Sequence, residues 1–206
     1  MKVLGLTGSI GMGKTTAALL LRRLGVPVHD ADAAVHRLLG RGGAAVKAVA
    51  AAFPFAVRDG TVDRKALGAR VFADAEAMRR LERILHPLVR QDSARFLARA
   101  RRGGARVAVL DVPLLFETGR DRDCDATLVV SAPCFVQRAR VLARPGMTQR
   151  RFDEVLARQM PDADKRRRAD HLVPTGLGRR LTLRRLRRVL KDLRRAAGKG
   201  KRRRRP

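Results

Sequence analysis

The chain contains no tryptophan or tyrosine, and only seven phenylalanines among its 206 residues. A binder of single-stranded nucleic acid that stacks bases on aromatic platforms is therefore not expected. Cysteine is equally scarce. Cys124 and Cys134 form no CxxC pair and no metal-ligand set, which excludes a disulfide scaffold or a zinc module. No apolar run approaches the roughly 18 residues that a membrane span requires. The opening MKVLGLTGS is Gly-rich and its apolar run is too short for a signal peptide, so a soluble cytoplasmic protein is expected. Acid is also in short supply: 19 Asp+Glu stand against 47 Lys+Arg, a formal charge of +28.

An apolar fraction of 45% excludes a disordered chain, and the length suits one compact domain with small inserted lobes. The charge points to nucleic acid, but its distribution weakens that reading. Residues 176–206 carry 15 Lys+Arg and one acid, Asp192, so half of the excess lies in the last 31 residues.

Val3–Thr7 is a short apolar run that stops at a Gly-rich turn and reads as a buried strand. Ala17, Leu20, Leu21 and Leu24 then repeat at helical spacing, ended by Gly25. Pro27–Asp30 is a second short strand. Residues 32–102 read as mostly helical, with breaks at Gly40, Phe53-Pro54, Asp59-Gly60 and His86-Pro87. Val107–Asp111 and Ala126–Ser131 are strands, and helical patterns cover 135–143 and 148–160. Leu172-Val173 reads as a last strand. Thr182 is placed as the cap of a final helix carrying Leu183, Leu186, Val189, Leu190 and Leu193 on one face. The terminal GKGKRRRRP has no apolar period and is expected to be disordered. Strands alternating with helices imply an α/β fold with a parallel sheet, and the helical block after the second strand is an inserted lobe.

Gly8-Ser-Ile-Gly-Met-Gly13-Lys14-Thr15 fits G-x-x-x-x-G-K-[ST] between a strand and a helix. Glycines let the backbone curl so that successive amides face phosphate oxygens, and the helix adds its positive end. Lys14 is expected on the β- and γ-phosphates, and the Thr15 hydroxyl on a Mg²⁺ that bridges them. Asp30 and Asp32 follow the second strand. Asp32 either activates an attacking hydroxyl or caps the next helix. Asp111 closes an apolar strand in a Walker B-like setting and either serves Mg²⁺ and the acceptor pocket or caps a turn. Asp63 reads as a helix cap, and His86 either as a structural bridge or as a functional group. Arg138, Arg140 and Arg144 lie on one helical pattern. They read as a mobile, arginine-bearing hairpin over the loop or as a solvated face.

Several segments occur together in order: GLTGSIGMGKTT, Asp30-Ala-Asp32, Asp59-Gly60, Val62-Asp63-Arg64, Leu67-Gly68, Val71-Phe72, and Leu81-Glu82 with His86-Pro87. Asp111-Val-Pro-Leu-Leu-Phe-Glu117, Gln137, Arg140, Arg144, Arg158-Gln159 and Ala169-Asp170 continue the series. In this the chain resembles the dephospho-coenzyme A kinase family to about residue 178. The resemblance implies a P-loop kinase of the nucleoside-monophosphate-kinase type in one domain, 1–197. Its core would be 1–32, 103–134 and 169–197, its acceptor-binding lobe 33–102 and its lid 135–168, with a disordered basic tail at 198–206.

The implied reaction moves the γ-phosphoryl of ATP, with Mg²⁺, to the ribose 3′-hydroxyl of dephospho-coenzyme A, completing coenzyme A. The resemblance puts Gly8, Gly11, Met12, Gly13, Lys14, Thr15, Thr16, Arg140 and Arg144 on ATP. It puts Asp32, His86, Asp111, Leu114 and Leu115 on the acceptor, with Lys14, Asp32 and Arg140 catalytic and Thr15 on the metal. Many family members carry Asn then Gly near adenine, where this chain has Pro174-Thr175-Gly176-Leu177-Gly178. The competing readings are a shikimate-kinase-like enzyme and a basic nucleic-acid-binding P-loop protein. The implied partners are ATP and dephospho-coenzyme A, with no membrane, and nucleic acid only as weak non-specific binding by the tail.

Overall fold

A computed structural model of the chain describes residues 1–71 and 74–202, with side chains as far as residue 198. Phe72 therefore lies outside the described residues, as do residues 203–206 of the expected tail.

The elements follow in order. β1 (Lys2–Thr7) leads into α1 (Lys14–Arg23), then β2 (Val28–Asp30) and α2 (Ala31–Leu39). Next come α3 (Val46–Ala52), β3 (Val57–Arg58), β4 (Thr61–Val62), α4 (Arg64–Val71) and α5 (Ala75–Arg102). β5 (Val107–Asp111), β6 (Ala126–Ser131), α6 (Cys134–Leu142), α7 (Gln149–Ala157), α8 (Asp162–Arg168), β7 (His171–Pro174) and α9 (Arg179–Arg202) complete the chain. No described helix is long and apolar enough to cross a membrane.

The sheet order is β2-β5-β1-β6-β7, with β1 parallel to β5 and β6, and β6 parallel to β7. β5 and β6 are buried at every position, as expected of strands covered on both faces. Parallel pairing brings the strand ends to one edge: Leu6 pairs with Asp111, Thr7 with Val129 and Ser131 with Pro174. The chain divides into two units. One is Met1–His29 together with the segment from Ala100 onward; the other is Asp30–Arg99. The division falls three residues before each expected lobe boundary.

The first unit has its own core. Leu4, Leu6, Leu128 and Val130 of the sheet meet Leu21 of α1 and Leu186, Val189, Leu190 and Leu193 of α9. Each such fully buried leucine contributes about 2–3 kcal/mol by leaving water. The second unit gathers Leu39, Val49, Phe53, Val62, Leu67, Leu81 and Leu85 into a separate core.

The expected break at Asp59-Gly60 is the turn of a β3–β4 hairpin. Both turn residues have positive φ, 48° and 71°, the backbone that an Asp-Gly two-residue hairpin uses. Three other expectations need correction. α5 runs through His86-Pro87 without a break. Pro87 removes one helical bond, but Leu81, Leu85 and Val89, buried at i, i+4 and i+8, hold the helix together. Thr182 is not the cap of α9, which begins at Arg179; its hydroxyl donates back to the Gly178 carbonyl at 3.0 Å. α9 also continues to Arg202, into the stretch expected to be disordered, because Lys and Arg are good helix formers.

Candidate active site

The loop between β1 and α1 keeps its shape because of its glycines. A Cβ on Gly8 would lie 2.6 Å from Val130 Cγ2, so the backbone approaches β6 only without one. Gly11 and Gly13 have φ of 76° and 86°, in the left-handed region. α1 starts without a side-chain cap. Among the described residues, no hydrogen bond engages the amides of Gly11, Gly13, Lys14, Thr15 or Thr16. Five amide donors beside the positive end of α1 are therefore left without a partner, an arrangement that can accept a polyphosphate. The Met12 amide is not among them: it donates to the Ser9 carbonyl at 3.1 Å. The Met12 side chain is buried, its sulfur accepting from the Ala132 amide at 3.1 Å.

Lys14 and Asp111 meet because β5 lies beside β1. Lys14 Nζ is 2.8 Å from Asp111 Oδ1, and the two side chains are 18% and 4% exposed. Thr15 is exposed in the first turn of α1, and no hydrogen bond among the described residues engages its hydroxyl.

Three side chains that sequence reasoning did not place in the site fasten the loop. Gln137 of α6 donates from Nε2 to the Ile10 carbonyl at 2.7 Å. The Ile10 amide donates to Gln159 Oε1 at 3.0 Å. The buried Thr175 hydroxyl donates to the Met12 carbonyl at 2.7 Å and accepts from Arg140 at 3.3 Å. Arg140 also donates to the Thr175 carbonyl at 2.8 Å and the Gly11 carbonyl at 3.4 Å. Arg140 thus binds carbonyl oxygens at the loop, at Gly11 and Thr175. Gln137 and Gln159 were visible only through the family resemblance. Thr175 stood out only as a departure from it.

Arg144 is exposed in the turn after α6, and no hydrogen bond or ion pair from its side chain to the loop is observed among the described residues. α8, the last part of the expected lid, is tied to the core. Lys165 is fully buried; its Nζ lies 2.8 Å from Glu117 Oε1 and donates to the Pro113 carbonyl at 3.4 Å. The same carbonyl accepts from the Thr7 hydroxyl at 2.8 Å. Ser131 donates to Asp162 at 2.7 Å, and the Arg168 guanidinium lies 4.6 Å from the centre of the Phe116 ring. Burial pushes the Glu117 carboxyl up, but the hydrogen bonds from Lys165 and the Met160 amide outweigh it and hold the group below the usual carboxylate range.

Leu114 is partly exposed beyond β5, but Leu115 is fully buried against Gly5, so an acceptor cannot touch Leu115. The partly buried Cys124 thiol is pushed up to about 12, chiefly by burial and then by Asp123, and so stays protonated.

In the second unit, Asp30 rather than Asp32 caps α2, accepting from the Ala33 amide at 2.9 Å. Asp32 is left exposed in the first turn. Asp63 accepts from the Lys65 and Ala66 amides, both at 3.0 Å, as a cap does. His86 is exposed on α5 and bridges no helix junction.

A family model described as dephospho-CoA kinase matches residues 2–176. A dephospho-CoA kinase of Paramagnetospirillum magneticum is 68% identical over 166 residues, covering 81% of this chain and 78% of that protein. The structure of TT1252 from Thermus thermophilus aligns with a TM-score of 0.82 at 38% identity, covering 93% of this chain and 97% of that one. A shikimate kinase from Acinetobacter baumannii in complex with shikimate aligns at 0.54 and 15% identity over 93% and 94%, a likeness of fold alone.

Proposed function

The chain belongs to the dephospho-CoA kinase family, and from that premise we propose how its residues carry out the ATP-dependent phosphorylation of dephospho-CoA. The observation that supports this reading best is the set of unengaged amides at Gly11 and Gly13–Thr16, with Lys14 beside them. These donors hold the β- and γ-phosphates. They act chiefly on the charge that grows as the γ-phosphoryl leaves ADP. Lys14 exchanges part of its contact with Asp111 for phosphate oxygens. Arg140 keeps the loop closed through the Gly11 and Thr175 carbonyls and adds positive charge nearby.

The acceptor is the ribose 3′-hydroxyl. Its oxygen bonds to the γ-phosphorus as the bond to the β–γ bridging oxygen breaks, and Asp32 takes the hydroxyl proton. Asp32 suits this task because its carboxylate is exposed, with Asp30 serving as the cap in its place. Leu114 and Asp111 border the acceptor.

The donor set fits Mg²⁺. The Thr15 hydroxyl and the Asp111 carboxylate are hard oxygen donors, and Mg²⁺ commonly takes its other ligands from substrate phosphates and water. Bound there, it would supply positive charge to the β- and γ-oxygens. Drawing on ATP, the enzyme belongs in the cytoplasm.

A coupled assay that offers ATP with dephospho-CoA, shikimate or nucleoside monophosphates tests the reading. Turnover is expected with the first alone. No coenzyme A formation would overturn it. Asp32→Asn is expected to lower kcat about 10²-fold or more; an unchanged kcat would remove Asp32 from the reaction.

A further inference from the structure

The opposite edge of the sheet carries charge that the kinase reaction does not use. The amides and Lys14 lie at the C-terminal strand ends. At the N-terminal ends, two adjoining clefts open, of about 420 and 310 Å³. The larger is lined by Arg106, Arg187, Lys191, Arg194 and Arg195; the smaller shares Arg106 and Arg194 and continues over Gly25–Pro27. All five cations are exposed, and no ion pair to any of them is observed among the described residues.

The sequence of α9 explains the arrangement. Leu186, Val189, Leu190 and Leu193 are buried in the core, so the opposite face is fixed outward. Arg180, Arg184, Arg187, Lys191 and Arg194, all exposed along one flank of the helix, are spaced by three or four residues and form one row. The row is about 21 Å long with cations about 5 Å apart. The sole acid of the helix, Asp192, lies off it.

We propose that this row and Arg106 form a binding surface for the phosphodiester backbone of duplex nucleic acid. A linear row matches a line of charges, whereas a free phosphate is held by donors that converge on a point. Duplex DNA presents a charge about every 1.7 Å of its axis, so 21 Å faces about six base-pair steps. Arginine, four of the five row positions, pairs with phosphate through two parallel hydrogen bonds. No aromatic residue lines either cleft, so no base is stacked there, and the contact proposed is with the phosphodiester backbone. The apolar face of α9 is sealed in the core, so the helix has nothing to insert into a lipid surface. Because a strand length separates this edge from the phosphate loop, the surface is independent of catalysis.

The test measures binding of fluorescein-labelled 20-base-pair RNA and DNA duplexes to the full chain at several salt concentrations. Wild type is expected to bind both, with affinity falling steeply as salt rises. R187E/K191E/R194E is expected to lose at least about 10-fold in affinity at 0.1 M salt and to flatten the salt slope by about three. R187Q/K191Q/R194Q should give a smaller loss in the same direction. Serine at Arg203, Arg204 and Arg205 should leave most of the difference between wild type and the triple variants intact. Equal binding by wild type and both triple variants would overturn the proposal. So would preferential binding to anionic phospholipid vesicles or polyglutamate at equal charge. The kcat and KM of the triple variants should stay within twofold of wild type, and a larger change would refute the independence of the two edges.

Discussion

The two edges of the sheet hold their cations in opposite ways. At the C-terminal edge Lys14 is on Asp111, Lys165 is on Glu117 and the Pro113 carbonyl, and Arg140 is spread over Gly11 and Thr175. At the N-terminal edge, the cations of α9 stand in water. A charge held in a dry, fixed setting acts strongly on a neighbour, whereas a solvated one is screened within about 10 Å. The net charge of the chain treats the two as equal, but the structure does not.

The sharpest way to break this contrast is Lys14→Ala. Removing a fixed charge at the transferring phosphoryl should cost about 10³-fold or more in kcat. A loss under about tenfold, read from steady-state kinetics, would place Lys14 with the solvated cations.

Lys165→Met tests a held cation without a direct part in the chemistry. It leaves Glu117 partly buried without its partner, a loss of about 3 kcal/mol. A melting temperature lower by about 6–12 °C is expected from it. The pH dependence has a definite sign. In the wild type the Glu117 carboxyl is depressed, so its contribution is complete above the usual glutamate range and is lost as pH falls through the folded value. In Lys165→Met the lysine's share is lost and the Met160 amide is left to oppose burial, so the group rises relative to wild type and less stability is lost as it takes up a proton. The gap in melting temperature should therefore narrow from pH 7 to pH 4, and a widening gap would refute the pairing.

Thr175→Val is a smaller probe. It keeps the shape and removes the hydroxyl that joins Met12 and Arg140, at a cost of about 1–2 kcal/mol. The KM for ATP should rise severalfold with kcat changed less. Equal changes in both would mean that the loop does not depend on this clasp. The smallest effect belongs to the other edge: in kinase assays, R187Q/K191Q/R194Q should be indistinguishable from wild type.

Much of the fold was legible because its signals are local. The apolar runs at Val3–Thr7, Val107–Asp111 and Ala126–Ser131 are strands, and the spacing of Leu186, Val189, Leu190 and Leu193 set the face of α9. Local signals also misled. Pro87 reads as a break, but packing of Leu81, Leu85 and Val89 overrides it. Asp32 was weighed as the cap of α2, a part that one residue pair's geometry gives to Asp30. Leu114 and Leu115 look alike in sequence, and only the sheet decides that the second is sealed against Gly5.

The sequence by itself determined the phosphate loop, since the glycines, the lysine and the start of α1 are contiguous and their backbone preferences are intrinsic. It determined the family too, through segments whose order needs no coordinates. Only the tertiary structure decided what holds the loop in place. Gln137, Thr175 and Gln159 are more than 120 residues away from it along the chain, and Lys165 lies 48 residues beyond Glu117. Their roles come from which strands lie side by side, and pairings of that kind leave no period or local preference in a sequence.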